Sequence, residues 1–264
     1  MLFVLLPAYN EARALPILLA DLETTCAKLA HRIVVVDDGS TDCTLQVLKC
    51  FASQYQNVDV VEHGQNMGLS QALKSGFQRI LAFRAGDLDD KMYDDKSLPD
   101  VVITMDADNT HPADRIPLLC AQIAAGADLV VASRYAPGGE QFGLKFGRKL
   151  LSWGAGKVMQ FFFPLDGVQD YSCGYRAYKL SVLQKGFRIY DEKLIENCSF
   201  AGMVELLLKL APLCNKISEV PLQLHYERKE GVSKMRIWTT ILGYVQVIYR
   251  LKRKSTGSME WVEE

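Results

Sequence analysis

Short runs of apolar, mostly β-branched residues recur along the first half of the chain: Phe3–Leu6, Ile33–Val36, Val58–Val61, Val101–Thr104 and Leu129–Ala132. Between them lie helix-length segments of mixed apolar and polar positions, Glu11–Leu29, Thr41–Tyr55, Gly68–Phe83 and Asp114–Ala125. Apolar runs without alternation read as strands covered on both faces, and their alternation with helices predicts βαβ units and a largely parallel sheet. After Ala132 the rhythm changes. Gly138-Gly139 leads into a basic-then-apolar stretch, Lys145–Phe163, ended by Pro164, and a second long helix is expected over Ser233–Lys254. The segment Ala85–Asp100, with six Asp, two Lys and a Pro, reads as a solvated loop before a strand. The pattern describes one α/β domain with helical elaborations, not two independent folds.

Ligands of such sheets sit beyond the carboxyl ends of the strands, so the polar residues just after each strand carry the functional reading. Strand one is followed by Pro7-Ala8-Tyr9-Asn10-Glu11, strand two by Asp37-Asp38-Gly39-Ser40-Thr41-Asp42, and strand four by Asp106-Ala107-Asp108. Each has an ordinary explanation alone, Asn10 or Ser40 as a helix N-cap and Gly39 as a turn residue. Their convergence on one sheet edge is what counts. Two carboxylates one residue apart at the end of a buried strand repel each other unless a cation lies between them. Hard oxygen donors of this kind suit Mg²⁺ or Mn²⁺, ions that are bound together with substrate phosphates.

These clusters carry a family resemblance. The order Pro7-x-Tyr9-Asn10-Glu11, Val35-Val36-Asp37-Asp38-Gly39-Ser40-Thr41-Asp42, Asn66-x-Gly68-Leu69 and Met105-Asp106-Ala107-Asp108 resembles that of an inverting GT-A glycosyltransferase of family 2. Ser133-Arg134-Tyr135, Gly138-Gly139, Arg148-Lys149 with Ser152, Asp170-x-x-x-Gly174-Tyr175-Arg176 and Arg228-x-x-Gly231-x-Ser233-Lys234 are similar to the dolichol-phosphate mannose synthase and polyprenyl-phosphate sugar transferase group. The resemblance covers residues 2–236 in order. It implies an α/β fold of GT-A type, a Rossmann-like, mostly parallel sheet flanked by helices, with C-terminal amphipathic helical elaborations. The domain would span residues 1–236, a nucleotide-sugar half at 1–132 and an acceptor half at 133–236, followed at 237–264 by an amphipathic helix and basic tail.

Carried over residue by residue, the resemblance places Pro7, Tyr9, Glu11, Val36 and Asp38 around the nucleotide base and ribose. It gives Asp106 and Asp108 the metal and brings the Ala107 backbone to the sugar nucleotide. Arg134, Arg228 and Lys234 would contact the diphosphate or a loop closing over it with Gly231 as hinge, and Arg148, with Arg134, would face the acceptor phosphate. Asp170 is the one candidate base should the acceptor be a hydroxyl. The implied partners are a nucleotide-sugar donor, a polyprenyl-phosphate acceptor, and a membrane surface or membrane-protein partner. Many relatives carry Gln two positions after the second metal Asp, where this chain has Thr110 beside His111, and many carry extra transmembrane helices. Arg176 is expected just after a strand, with a structural role as an alternative.

Composition adds bounds. The 264 residues are 49% hydrophobic and 23% charged, which excludes a disordered chain, a collagen or a disulfide-knot scaffold. The net charge of −1 hides an asymmetry: residues 1–132 carry 10 Lys+Arg against 18 Asp+Glu (−8), and residues 133–264 carry 20 against 13 (+7). Seven scattered cysteines with no CxxC pair read as reduced thiols of a cytoplasmic protein. The apolar start reads as a first strand, not a signal peptide. The longest run free of Asp, Glu, Lys and Arg is Ile237–Tyr249, 13 residues, whereas a spanning helix needs about 20. Trp238, Ile241, Leu242, Val245 and Tyr249, followed by basic residues to Lys254, and the Leu150, Leu151, Trp153, Val158 and Phe161–Phe163 set with Arg148, Lys149 and Lys157, are expected either to pack on the domain or to lie in a membrane interface. The expected location is cytoplasmic and peripheral on the membrane. No Gly-x-Gly-x-x-Gly follows a strand, which argues against a dinucleotide-dependent dehydrogenase, and the basic half offers no nucleic-acid module. Four readings stand: sugar transfer to polyprenyl phosphate from GDP-mannose, the same from a UDP-sugar, transfer to a glycan hydroxyl, and a nucleotide-sugar-binding scaffold without turnover.

Overall fold

The computed structural model describes residues 1–86, 99–144, 146–229 and 237–256. The apolar runs become strands β1 (Leu2–Ala8), β2 (His31–Asp37), β3 (Val58–Glu62), β4 (Val101–Thr104) and β5 (Leu129–Ser133), each followed by a helix or helical turn except β5. The helices between them are α1 (Ala14–Cys26), α2 (Thr44–Gln54), α3 (Leu69–Gly86) and α4 (Ile116–Ala124). The second half supplies β6 (Glu140–Phe142), α5 (Phe146–Phe162), β7 (Arg176–Lys179), α6 (Leu180–Tyr190), α7 (Ala201–Leu210), β8 (Ile217–Pro221), β9 (Gln223–His225) and α8 (Ile237–Thr256).

Seven strands form one sheet in the order β3-β2-β1-β4-β7-β5-β8, and β6 pairs with β9 in a small second sheet. Only β7 runs against the others, between β4 and β5. Phe3–Leu6, Ile33–Val36 and Leu129–Ala132 are wholly enclosed, and each such aliphatic side chain contributes about 1.5–3 kcal/mol by leaving water. The chain steps outward from β1 to β2 and β3, then returns to place β4 on the other side of β1. That reversal opens a crevice at the carboxyl edge. Register fixes its rim: Pro7 pairs with Val36 and Ala8 with Asp37, while the Met105 N–H donates to the Leu5 carbonyl. The three polar clusters therefore meet at one edge.

Two expectations change. Arg176 opens β7 instead of following a strand. It is fully buried and donates to the Met203 and Tyr171 carbonyls at 2.6 and 2.7 Å, so it ties the central antiparallel strand to α7. The apolar residues of α8 do not share one fate either. Thr240, Gly243, Tyr244, Val247, Ile248 and Leu251 face the domain, whereas Leu242, Val245 and Tyr249 are exposed. The helix is apolar on two sides, and the three- and four-residue spacing that packs is offset from the one expected. Arg250 anchors it to Glu205 of α7 at 3.2 Å. On α5, Leu150, Leu151, Trp153, Val158, Phe161 and Phe162 are exposed, Phe161 to 81%. Among the described residues no helix is long and apolar enough to cross a membrane. Most of the acidic segment before β4, and Gly231, Ser233 and Lys234, lie outside the described residues.

Candidate active site

The loops after β1 and β2 are laced together. Asn10 adopts a left-handed backbone (φ 53°), a conformation its short polar side chain tolerates. Its N–H donates to Ser40 Oγ at 2.9 Å, and its Oδ1 accepts the N–H of Thr41 at 2.8 Å and of Asp42 at 3.3 Å. The Glu11 N–H donates to Thr44 Oγ1 at 2.8 Å. Asn10 and Ser40 thus bridge two loops and cap no helix of their own. Gly39, at φ +68°, leaves no room for a side chain, since a Cβ there would lie 2.3 Å from the Gln65 carbonyl carbon.

Asp38 is buried and accepts the N–H of Met67 at 2.9 Å and of Gly68 at 2.8 Å, and its Oδ1 lies 2.8 Å from His63 Nδ1. It ties the third loop to the rim. Of the other residues expected around a nucleotide, Pro7 and Tyr9 are partly exposed, Glu11 is buried near the rim, and Val36 is fully enclosed in the core. Asp37, beside Asp38, has a buried Oδ1 with no hydrogen-bond partner.

Asp106 and Asp108 differ in setting. The Asp106 side chain is 41% exposed to the crevice, and its N–H donates to His111 Nδ1 at 3.0 Å. Desolvation of the carboxyl at its inner end raises its pKa, His111 opposes that rise, and the neighbouring Asp108 charge adds to it. The Asp108 side chain is only 7% exposed. Its Oδ1 accepts Thr110 Oγ1 at 2.6 Å, and its Oδ2 accepts Lys229 Nζ. Burial acts to raise the Asp108 pKa, but the Lys229 ammonium and the Thr110 hydroxyl outweigh it and hold the carboxyl below its ordinary value. Thr110 therefore orients the Asp108 carboxylate, and the His111 ring stacks on Tyr175 with centroids 5.1 Å apart. The donor set fits a hard divalent cation. The two carboxylates interact electrostatically at one strand end, and a cation, the Lys229 ammonium, already sits on Asp108. Among the described residues no set of three or more His, Cys, Asp or Glu converges, so donor phosphates and water would complete the coordination, as is usual for Mg²⁺.

The second half closes the other wall. Thr104 Oγ1 donates to the Gly174 carbonyl at 2.7 Å, and a Cβ on Gly174 would lie 3.6 Å from Asp106 Oδ1. The Arg134 charge also works against the rise of the Asp106 pKa without reversing it. The Arg134 guanidinium grips Asp170 in two parallel bonds, Nε to Oδ2 and Nη2 to Oδ1, both 2.7 Å, and also reaches Ser172 at 2.7 Å and Ser152 of α5 at 3.4 Å. Asp170 is completely buried, and both its oxygens are engaged, by Arg134 and by the N–H groups of Ser172 and Cys173. Burial acts against its charge, yet Arg134 holds its pKa below the ordinary value. The carboxylate holds the Arg134 guanidinium, and each of its oxygens already accepts at least two hydrogen bonds. Glu219 of β8 in turn receives the Gln169 and Asp170 N–H groups, both at 2.7 Å. Burial and the Asp170 charge push the Cys173 thiol up to about 12, which removes it as a nucleophile near neutral pH.

Arg148 lies partly buried on α5. Arg228 is exposed and lines a cavity of about 300 Å³ with Asn109, Asp114, Arg115 and His225. Lys229, Glu219, His63 and Ser172 escape the sequence reading. Lys229 alone had a signal, because it stands inside the Arg228-to-Lys234 motif at a position whose side chain the motif leaves open.

The model of glycosyl transferase family 2 matches residues 3–82 and 94–187. An undecaprenyl-phosphate mannosyltransferase of Micrococcus luteus is 31% identical over 231 residues, 88% of this chain and 86% of the relative. A dolichol-phosphate mannosyltransferase of Pyrococcus furiosus is 32% identical over 95% of this chain, which spans 63% of that protein's length. A polyprenol monophosphomannose synthase of Mycolicibacterium smegmatis is 31% identical over 88% of this chain and 80% of the relative. Among solved structures, the glucosyl-3-phosphoglycerate synthase of Mycobacterium tuberculosis, crystallised with Mn²⁺, UDP and phosphoglyceric acid, superposes with a TM-score of 0.62 at 21% identity. That overlay covers 100% of this chain and 81% of the other and establishes the shared GT-A fold.

Proposed function

Because the chain belongs to glycosyl transferase family 2, we propose that it moves a sugar, with inversion, from a nucleotide sugar onto a polyprenyl phosphate in a metal-dependent reaction, with mannose from GDP-mannose as the donor. The observation that carries this reading is that Asp170 is spent on Arg134. A hydroxyl acceptor needs a base beside the anomeric carbon, and the candidate for that task already accepts at least two hydrogen bonds at each oxygen. A phosphate monoester is ionised near neutral pH (second pKa about 6) and attacks without one. What it needs is a positive site, and Arg134, oriented by Asp170 and Ser172, supplies it. The names of the relatives support the same acceptor class.

In this reading Asp106 and Asp108 would hold Mg²⁺ or Mn²⁺, which would supply charge neutralisation for the leaving nucleoside diphosphate. Arg134 is held rigid before the acceptor arrives, so no free energy is lost in orienting it as an oxocarbenium-like centre forms. The laced loops after β1 and β2 present Pro7, Tyr9 and Glu11 at the nucleotide side. The acceptor's tail requires an apolar exit. Ser152 of α5 touches Arg134, and the exposed apolar residues of α5 and α8 extend from that wall. Arg148, Lys149, Lys157, Lys252 and Arg253 flank them. Apolar side chains fringed by cations suit a protein lying on an anionic membrane surface.

The test is a panel of GDP- and UDP-sugars with Mg²⁺ or Mn²⁺ and a short polyprenyl phosphate, scored for lipid-linked product. Transfer from GDP-mannose is expected. Product from a UDP-sugar instead would change the donor and keep the acceptor, and product from no donor would overturn the reading.

A further inference from the structure

We infer that Lys229 is a built-in counter-ion that occupies the divalent-cation position on Asp108 in the donor-free enzyme and has to leave when the metal enters. The inference rests on the reading of Asp106 and Asp108 as the metal carboxylates. Lys229 is delivered there by the backbone. β8 leads through Leu222 into β9, and the His225 N–H at the end of β9 donates to the Thr110 carbonyl at 3.1 Å. That bond sets the following turn, Tyr226–Arg228, against the Asp108–Thr110 loop. The Lys229 ammonium then meets Asp108 Oδ2 in an ion pair whose side chains are 14% and 7% exposed. Its charge also reaches Asp106, and the Tyr226 ring lies 5.8 Å from the ammonium.

The arrangement answers the problem the two carboxylates pose. Without a cation, the half-exposed Asp106 and the buried Asp108 repel each other, and an ammonium relieves that repulsion. A divalent ion and an ammonium cannot share the same carboxylate oxygen, because like charges a few ångströms apart repel strongly where water is scarce. Metal affinity in the absence of donor is therefore lowered by the free energy of the Lys229–Asp108 pair. Once displaced, the ammonium sits on a flexible four-carbon stem within reach of the donor's phosphates. Metal and nucleotide sugar then bind cooperatively, since the displaced cation gains an anionic partner only when the diphosphate is present.

Calorimetric titration of Mn²⁺ alone into the full chain, without nucleotide, tests this directly. Lys229→Met is expected to bind Mn²⁺ about tenfold tighter than the wild type or more, and Lys229→Arg, which keeps the charge, to stay within about threefold of it. Equal affinity in Lys229→Met and wild type overturns the inference while leaving the metal site intact. No Mn²⁺ binding by either, in the presence or absence of GDP or UDP, overturns the metal reading and the inference with it. A second measurement needs no variant. Amine acetylation of the wild type, read by peptide mass, should label Lys229 slowly without metal and at least about fivefold faster with saturating Mn²⁺. An unchanged labelling rate with Mn²⁺ bound counts against displacement.

Discussion

The rim beyond β1 and β2 and the wall around Arg134 solve the same problem, holding polar groups still at the edge of an apolar sheet, by opposite means. At the rim the work is done by neutral donors and backbone amides: Asn10, Ser40, Thr41 and Thr44 stitch two loops together, and Asp38 gathers amides from a third. The wall relies on formal charge. Arg134 and Asp170 form a bidentate pair, and Glu219 carries the Asp170 segment. The rim thus suits a ligand read by shape and hydrogen bonds, such as a base and ribose. The wall suits a phosphate through geometry, because Asp170 fixes the plane of the guanidinium while Nη1, 3.4 Å from Ser152 Oγ, points toward α5.

The largest effect expected separates the metal carboxylates from both regions. Asp108→Ala should lower transfer at saturating donor by about 10³-fold or more, and removal of divalent ions by chelator should do the same reversibly. Steady-state rates at several Mn²⁺ concentrations check this, and near-normal rates in Asp108→Ala would sink the assignment. Next in size is Asp170→Asn, which leaves Arg134 buried without its counter-charge and should destabilise the fold by about 3–5 kcal/mol. Urea midpoints measure it. In a variant that remains folded, the loss in turnover should be the same from pH 6 to 9. Recovery as the pH rises would instead give Asp170 the role of a base and point to a hydroxyl acceptor. The wild-type acid limb carries the same signature. The folded Asp170 pKa lies below its unfolded value, about 3.9. Its stabilisation is therefore complete above that value and lost as the pH falls through the lower folded one. The Asn variant should lack this part of the slope.

The difference between the two regions also explains what the chain discloses before it is folded. Strands β1 to β5 announce themselves as apolar runs, and the rim residues follow them within a few positions, so sequence spacing alone brings Asp38 and Asp106 to one edge. The wall joins Arg134, Ser152, Asp170, Ser172 and Glu219 across some 85 positions, and no local period links them. β7 escapes because its four residues, Arg176 to Lys179, begin and end with a charge, and a strand buried between two others is read by its apolar run. α7 hides for a related reason. Glu205 and Lys209 look like a solvated face but are buried as an ion pair at 2.8 Å. Lys229 is the sharpest case, since the motif around it was legible and its contact with Asp108 came only from the path of β9.

The exposed helices give the smaller effects. Phe161→Glu combined with Leu242→Glu places charge where two apolar side chains meet solvent. Both side chains are mostly in solvent, at 81% and 62% exposure, so transfer to a water-soluble short-chain acceptor should persist. Binding to vesicles rich in anionic lipid should fall about tenfold or more. Equal sedimentation of variant and wild type with the vesicles would leave α5 and α8 with no membrane role.

The smallest effect isolates charge from apolar contact on the same face. Lys252, near the end of α8, holds its ammonium 5.3 Å from the Phe163 ring just beyond α5, so one exposed cation spans the two helices. An exposed cation over a ring contributes only about 0.5–1 kcal/mol to the fold, and Lys252→Ala should barely move thermal unfolding. Near an anionic leaflet each such cation gains about 1 kcal/mol, and that gain is screened within a Debye length of about 10 Å at 0.1 M salt. Vesicle affinity of the variant should therefore drop about fivefold at low salt and match the wild type at high salt, whereas Phe161→Glu with Leu242→Glu should remain impaired at both. A salt-independent loss in Lys252→Ala would mean that the residue acts by bracing α8 against α5, and the wall's reliance on charge would then end at Arg134 and not extend to the exposed face of α5 and α8.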